Sequence, residues 1–462
     1  MQKGKVLAGP DQPELSEESI RSLEKGTTYK YLVLEQLFEV DDSKVKDCLI
    51  NEWRRRLHKV WSSHLNGKNA AEASNVLCAS LLRYSHPVLR WTQIELPKLD
   101  RMVRKIMRKY QCHHYNSAIE RVNLPRSQGG RGLCSFPLDH DRAVVNLARY
   151  LHTANDPLIA VVVKHQKWLE CSKQRRTVLK EARLILGSQR IELEPEMWLK
   201  TDPSQNSVRE WRRVARELRE AQTERLKSNL AEKSHQGSYH RQVTNRESYV
   251  WLSEGRLRPQ TEALILAAQD DVLHTRWYQN RILKNSSLLM CRECGKAMET
   301  VKHILNMCEP KGFSLYKERH DRAILIVLWR LLKEYGFKQE EPWYKLEAKP
   351  VYENRAVKIL WDPSIPTDDE MTERRPDLVV EDRLCKSIFI IEMSVPTDSN
   401  INGRWQEKFQ KYQKLAADMR KQFRGYRIKV VPMIIGALGT VDTLLEDLSG
   451  IPKLLNLSLI HI

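Results

Sequence analysis

The chain contains no apolar run long enough to span a bilayer and no segment laid out as a secretory signal. Those absences exclude a helical membrane span. They direct the expectation to the nucleus and cytoplasm, with no membrane partner. A disulfide pattern is missing too. Nine cysteines, an odd number scattered over 462 residues, are unlike the dense, even set of a small secreted scaffold. There is no internal repeat and no long low-complexity tract, so neither a repeat array nor a tract-driven architecture applies. Acidic residues fall short of basic ones, 59 against 77, leaving a net charge of +18. Such an excess implies a polyanionic partner, and nucleic acid fits best. What is present suffices for real cores: 41% of residues are hydrophobic, and the length accommodates about two to four domains.

The most informative stretch begins at Arg375-Pro376-Asp377. Leu378-Val379-Val380 reads as a short buried strand and Arg383-Leu384-Cys385-Lys386 as a turn. Ser387 to Val395 is a stronger strand, rich in isoleucine and valine. Pairing the two strands sets Asp377 beside Glu392. Two close carboxylates repel each other unless a cation lies between them. A hard, oxygen-preferring ion such as Mg²⁺ suits that place. It lowers the pKa of a bound water and stabilises charge on a phosphate under attack. The third partner of a PD-(D/E)xK nuclease is a lysine two residues after the second acid, where this chain has Ser394. The following segment, Arg404 to about Arg424, reads as an amphipathic helix with Trp405, Phe409, Tyr412, Ala416, Met419 and Phe423 on one stripe. Lys408 borders that stripe, Lys411 lies further round and Lys414 points away. Lys408, with Lys411 as neighbour or substitute, is the candidate to hold the attacking water or the developing phosphate charge. A solvated lysine face beside two incidental acids is the alternative.

A second constellation is Cys291-x2-Cys294-x8-His303-x4-Cys308. Three soft ligands and one borderline ligand at short spacing suit tetrahedral Zn²⁺, with Cys-x2-Cys forming a turn and His303 and Cys308 near the ends of a short helix. A site of this size folds around its metal, with an apparent contribution on the order of 10–16 kcal/mol in zinc-finger peptides.

The first half of the chain is basic and helical. Leu99, Val103, Ile106 and Tyr110 form one face of a helix over 99–110, and Arg101, Arg104, Lys105 and Arg108 another. That second face either tracks phosphates or is an ordinary solvated surface. Leu124-Pro125-Arg126 through Gly129-Gly130-Arg131-Gly132 is a glycine-rich loop whose amides and arginines could contact phosphate, or a plain turn. It lacks the lysine and serine or threonine ending of a nucleotide-binding P-loop. Glu210 to Glu232 mixes both signs, as a solvated or bridging helix does. Arg276, Trp277, Tyr278 and Arg281 offer stacking and phosphate contacts or helix packing.

Several segments resemble the site-specific non-LTR (LINE-type) retrotransposons that carry a restriction-enzyme-like endonuclease. They are YKYL (29–32), LPRSQGGRGL (124–133), ETVKHILNMC (299–308), RRPDLVV (374–380), IFIIEMSVP (388–396), EKFQKYQKL (407–415) and KVVPMIIGALGTV (429–441). Members of that family carry a lysine displaced onto the helix. They often have Asp where this chain has Glu392, and usually glycine where it has Val33. The resemblance implies a multidomain α+β chain. Its divisions would be a truncated start (1–28), the last palm strand and thumb of a reverse transcriptase (29–160), a helical basic linker (161–290) and a CCHC zinc knuckle (291–310). A helical connector (311–360), a C-terminal α/β restriction-endonuclease-like domain (361–450) and an atypical tail (451–462) would follow. The expected nuclease strands are 377–382, 387–395 and a central 427–436, with helices 404–424 and about 440–448. Pro432 is awkward in a central strand. The implied activity is Mg²⁺-dependent nicking of target DNA, whose freed 3′ hydroxyl primes reverse transcription, with Arg375 on the DNA backbone. The implied partners are target DNA and element RNA or an RNA-DNA duplex; oligomeric state is left open. Val40-Asp41-Asp42 imitates a polymerase aspartate pair but sits in a charged helical stretch, and family order sets the true pair upstream of Met1. Polymerase activity is therefore not expected. The rival expectation is a catalytically inactive, truncated or host-retained remnant that binds nucleic acid.

Overall fold

Local pattern becomes helix first. The computed structural model describes residues 29–31, 34–36, 42–171, 177–198, 202, 204–243, 245–255, 257–366 and 374–441. Val33, Asp41, the start (1–28), the tail (451–462) and most of the helix expected near 440–448 lie outside them. Strands β1 (Tyr29–Tyr31) and β2 (Leu34–Gln36) pair antiparallel, so the segment expected as one palm strand supplies two short strands. The helix Asp42–Trp61 begins at Asp42, whose Oδ2 accepts the Arg90 N–H at 3.1 Å. Asp42 thus stands in the first turn, where an acid complements the helix dipole.

Two helical cores fill the first half. The first gathers Trp53 and Leu57 of the Asp42–Trp61 helix, Leu99, Val103 and Ile106 of the Glu95–Lys109 helix, and Phe136. Trp53 meets Phe136 edge to face with ring centroids 5.3 Å apart, a favoured aromatic geometry. The second packs Phe136–Thr153, Val178–Ser188 and Gln205–Glu232 around Val144, Ala148, Leu186, Trp211, Val214 and Leu218. The 205–232 helix is therefore more than a solvated bridge. Trp211, Val214, Leu218 and Gln222 recur at spacings of three and four and bury one stripe.

The second half is built on a five-stranded sheet ordered β3 (Val351–Glu353), β4 (Val357–Trp361), β5 (Leu378–Asp382), β6 (Ser387–Ser394) and β7 (Arg427–Ile434). The first four strands run antiparallel in sequence order, and β7 joins β6 in parallel. One face packs Val357, Ile359, Leu378, Val380, Phe389 and Ile391 against the helix Glu309–Glu334. The other packs Val379, Ile388 and Ile390 against Leu415, Ala416 and Met419 of the helix Gln413–Gln422. Covering on both faces explains why β6 is a continuous apolar run rather than an alternation.

Two boundaries need correction. Residues 311–360 are no mere helical connector: they supply the packing helix and the strands β3 and β4 of the sheet itself. Strand 427–434 is not central. Among the described residues it ends the strand order, bonded to β6 alone, and there Pro432 is tolerated because one side of the strand needs no ladder donor. Among the described residues no helix is long and apolar enough to cross a membrane.

Candidate functional site

The ladder of β5 and β6 ends with Leu378 opposite Ile391. Asp377 lies one residue before Leu378 and Glu392 one residue after Ile391, at the same end of the two strands. Asp377 Oδ2 accepts the Met393 N–H at 2.7 Å, which fixes the carboxylate at the strand end. Glu392 is buried, and its Oε1 accepts from Lys408 Nζ at 2.7 Å and from Lys411 Nζ at 3.4 Å. Both lysines belong to the helix Ile401–Lys411, which ends at Tyr412 before a second helix begins at Gln413. The single long helix expected from the stripe is thus two. The break matters locally: Tyr412 donates its hydroxyl to the Arg375 carbonyl at 2.9 Å and takes Lys411 Nζ at 2.8 Å. Lys411 therefore reaches Glu392 as well as Lys408 does, which the wheel had not put so close. Ser394, in the place of the usual lysine, is buried with its Oγ 3.4 Å from the Tyr316 hydroxyl.

One neighbour escaped the sequence reading. His320, on the Glu309–Glu334 helix, puts Nε2 3.3 Å from Asp377 Oδ2 and Nδ1 3.1 Å from Asp321 Oδ1. Burial works against its protonation, but the hydrogen bonds and charges of Asp377 and Asp321 outweigh it and raise its pKa to about 9. No local spacing signalled this residue, because it lies 57 positions before Asp377. Arg375 pairs with Asp362, Nε to Oδ1 at 2.7 Å, on an exposed rim.

Asp377 and Glu392 offer oxygen donors, the kind a hard cation takes. Glu392 Oε2 is buried and makes no hydrogen bond, while Oε1 carries both lysine contacts. The donors here do not gather as tightly as those of the cysteine cluster. Mg²⁺ does not require that, since it keeps several waters and takes one or two carboxylates.

That cluster is built from two short turns. Cys291, Cys294, His303 and Cys308 have ligand atoms all within 4.8 Å of one another and could hold a metal such as zinc. Cys291 and Cys308 sulfurs are 3.8 Å apart, and Cys294 Sγ is 3.3 Å from His303 Nε2. Gly295 takes φ +66°, which closes the Cys-x2-Cys turn without a Cβ penalty. The Lys296 backbone N–H approaches Cys294 Sγ at 3.5 Å and is the main reason that thiol is held below its ordinary range. Thr300 caps the Val301–Asn306 helix through the His303 N–H, and Cys308 opens the Glu309–Glu334 helix. Glu299 braces the turn: its carboxylate accepts from the Arg292 guanidinium and from the Arg276 N–H, and these outweigh its burial, taking its pKa to about 2.

The arginines expected on nucleic acid separate into two groups. Arg131 is buried, paired with Glu262 at 3.2 Å and donating to the Cys112 and Pro259 carbonyls. Arg126 pairs with the same Glu262 and donates to the Leu252 carbonyl at 2.7 Å. The glycine-rich loop is thus a turn locked onto the Pro259–Gln269 helix, and both arginines, Arg131 buried and Arg126 half-buried, are corrected from phosphate contacts to internal ties. Arg276 is half-buried, spent on the Met290 carbonyl at 2.9 Å. Arg101, Lys105 and Arg281 are exposed, while Arg104 is half-buried and Arg108 donates to the Tyr115 carbonyl. Compared with known proteins, the chain matches no family model and no curated protein.

Proposed function

We propose that the sheet and its flanking helices form a metal-dependent DNA endonuclease of the restriction-enzyme-like class, and that the chain is the C-terminal part of a non-LTR retrotransposon protein. The observation that carries this reading is the buried Glu392 carboxylate held by Lys408 and Lys411, with Asp377 fixed by the backbone N–H of Met393, the residue after Glu392. The reaction is hydrolysis of a phosphodiester. Water oxygen attacks phosphorus, the bond from phosphorus to the 3′ oxygen breaks, and the proton ends on that oxygen. Mg²⁺ held by Asp377 and Glu392 would supply a more acidic water and charge neutralisation on the phosphate. Lys408 and Lys411 hold the attacking water and the developing phosphate charge, and Tyr412 keeps Lys411 in place. Zn²⁺ in the cysteine cluster is structural, and target DNA with element RNA or its DNA duplex are the partners. A second reading has its own support: the two lysines already neutralise Glu392, as in an ordinary ion-pair network. Under it, the chain binds nucleic acid without cutting.

Nicking of supercoiled plasmid with Mg²⁺ separates the two. The nuclease reading expects wild-type nicking that falls below detection in Asp377→Ala and by about 100-fold in Lys408→Ala, the size of a lost charge-stabilising donor. A folded, zinc-loaded wild type that binds DNA and never nicks it would establish the second reading.

A further inference from the structure

The basic face of the Glu95–Lys109 helix leads onto aromatic rings that the proposed nuclease centre does not use. Arg101, Arg104, Lys105 and Arg108 stand at i, i+3, i+4 and i+7, so they share one side of that helix. Burial lowers the Arg104 pKa, and the like charges of Arg108 and Arg101 lower it further against the pull of Asp100 and Glu120. Arg108 leads on to Tyr115. Its guanidinium donates to the Tyr115 carbonyl at 2.9 Å and lies over the ring, 5.5 Å from the centroid, within cation–π range. The tyrosine is fixed in this way, yet it is 69% exposed. Beside it a ladder of rings runs off from the helix. His114 meets His274 edge to face at 5.5 Å, and His274 stacks on Tyr278 at 6.3 Å with planes at 12°. His235 stacks on both Trp277 and Tyr278 at 5.6 Å. The Trp277 N–H donates to the Glu299 carbonyl at 3.2 Å, which ties the far end of the ladder to the cysteine turn. Tyr278 is buried and His114, His235 and Trp277 are half-buried, whereas His274, like Tyr115, is exposed.

A single exposed tyrosine is an ordinary surface feature. A tyrosine fixed under an arginine, at the end of a basic stripe and beside a second exposed ring, is a different arrangement. It matches the way proteins grip a strand whose bases are unpaired: cations follow the phosphates, and base faces stack on rings. A duplex offers little to such rings, because each base face inside it is already covered by the next base. His114 suits stacking as well. Burial first, then His274 and Arg108, lower its pKa from 6.5, so the imidazole is neutral at pH 7. We propose that Tyr115 and His274 form a stacking platform for the bases of a single nucleic-acid strand whose phosphates lie along Arg101, Arg104, Lys105 and Arg108. This rests on nucleic acid being the partner, as in the function proposed above, and not on any chemistry at Glu392. RNA and DNA strands share the recognition. The consequence is two modes of binding on one face: an unpaired strand meets cations and rings, a duplex meets cations alone.

The test measures binding, not cutting. The full zinc-loaded chain is titrated into one labelled mixed-sequence strand, offered as DNA, as RNA and as a blunt DNA duplex, and fluorescence anisotropy is followed without Mg²⁺. Tyr115→Ala should lower affinity for at least one of the single strands by about tenfold, within the range of one lost base stack, and leave duplex affinity unchanged. His274→Ala should act in the same direction. Tyr115→Phe keeps the ring and should bind like wild type. The salt slope of the Tyr115→Ala protein should stay at the wild-type value, because no phosphate contact is lost. Circular dichroism melts check folding, and the duplex arm serves as a second check, since a misfolded variant would lose both substrates. A larger loss with RNA than with DNA, or the reverse, supports the platform and names the strand it takes. If Tyr115→Ala and His274→Ala bind both single strands like wild type, or Tyr115→Phe binds as poorly as Tyr115→Ala, the platform is overturned while nucleic acid stands as the partner. If wild type binds none of the three substrates, the partner and the platform fall together.

Discussion

A buried ionisable side chain ties stability to pH, and this chain has a clear case away from the cysteine cluster and from Glu392. His86 is 1% exposed, and neither ring nitrogen makes a hydrogen bond. It packs edge to face on Trp91 and Phe136, with centroids 5.9 and 6.2 Å away. Burial is the largest influence and outweighs the pull of Asp139, lowering its pKa to about 4 from an ordinary 6.5. The unfolded chain then binds the proton more readily than the folded one. The stabilisation is complete above about pH 6.5 and is lost as pH falls toward 4. Each pKa unit corresponds to about 1.4 kcal/mol, so the loss at this one residue is on the order of 3 kcal/mol. His113, lowered to about 3 by burial first and by Arg131 next, adds in the same direction. Thermal melts from pH 7 to 4 should show a falling melting temperature, and His86→Leu should flatten the curve. A variant with the wild-type slope would remove His86 from the account. At this scale the sequence was most legible where spacing is local. The cysteines, His303, Asp377, Glu392 and Lys408 all sit on short-range patterns. Arg131 was misread because its partner Glu262 is 131 positions away, and His320 was missed for the same reason.

Elements tell a similar story through their neighbours. The strands 378–382 and 387–394 were legible because buried β-branched runs bounded by a turn have few other solutions. The position of β7 was not, since an apolar strand at an edge and one at a centre have the same composition. In this sheet the edge is half-covered by the Ile401–Lys411 and Gln413–Gln422 helices, so β7 still buries Ile428, Met433 and Ile434. The cysteine-rich turn shows a different dependence. It has one isolated bridge, Met290 to Met298, and leaves both of those methionines exposed, so apolar burial contributes little to it. If the cluster holds zinc, as its four converging donors allow, the metal would carry much of the fold there. Cys308 opens the helix that bears Tyr316 and His320, so loss of zinc should fray that helix from its start. Hydrogen exchange with and without a chelator checks this. Residues 288–310 should lose protection entirely and the first turns of the 309–334 helix partly, while β5 and β6 stay protected. Uniform protection after the zinc is removed would show that the turn stands without metal.

At the scale of the whole molecule, the halves are joined by named bonds rather than by a loose tether. Tyr239 and Gln269 donate to the Leu438 carbonyl at 3.1 and 2.9 Å, and Ser248 exchanges hydrogen bonds with Val441. Asp398 fastens the same turn by accepting the Leu438 and Thr440 N–H groups. None of these pairings is readable from sequence, because each joins segments with no shared pattern; the mixed α+β class was readable because the buried β-branched runs of the second half stand out from the helical periodicity around them. Joined in this way, the basic helix 95–109 and the sheet belong to one body carrying the +18 net charge. Arg101, Lys105 and Arg281 are exposed, while Arg126 and Arg131 are neutralised internally by Glu262; on the proposed function the exposed three would meet phosphate. Binding to duplex DNA should therefore be strong at low salt, independent of sequence and steeply salt-dependent. For about six phosphates neutralised, affinity falls by roughly 10³-fold between 50 and 200 mM salt. The double variant Lys105→Ala with Arg101→Ala should lower the slope of log affinity against log salt by nearly two, because each lost contact removes about 0.9. Arg131→Met should leave the slope unchanged while lowering the melting temperature. Equal slopes in all three proteins would mean that the basic face of the 95–109 helix is a solvated surface and that the phosphates are met elsewhere.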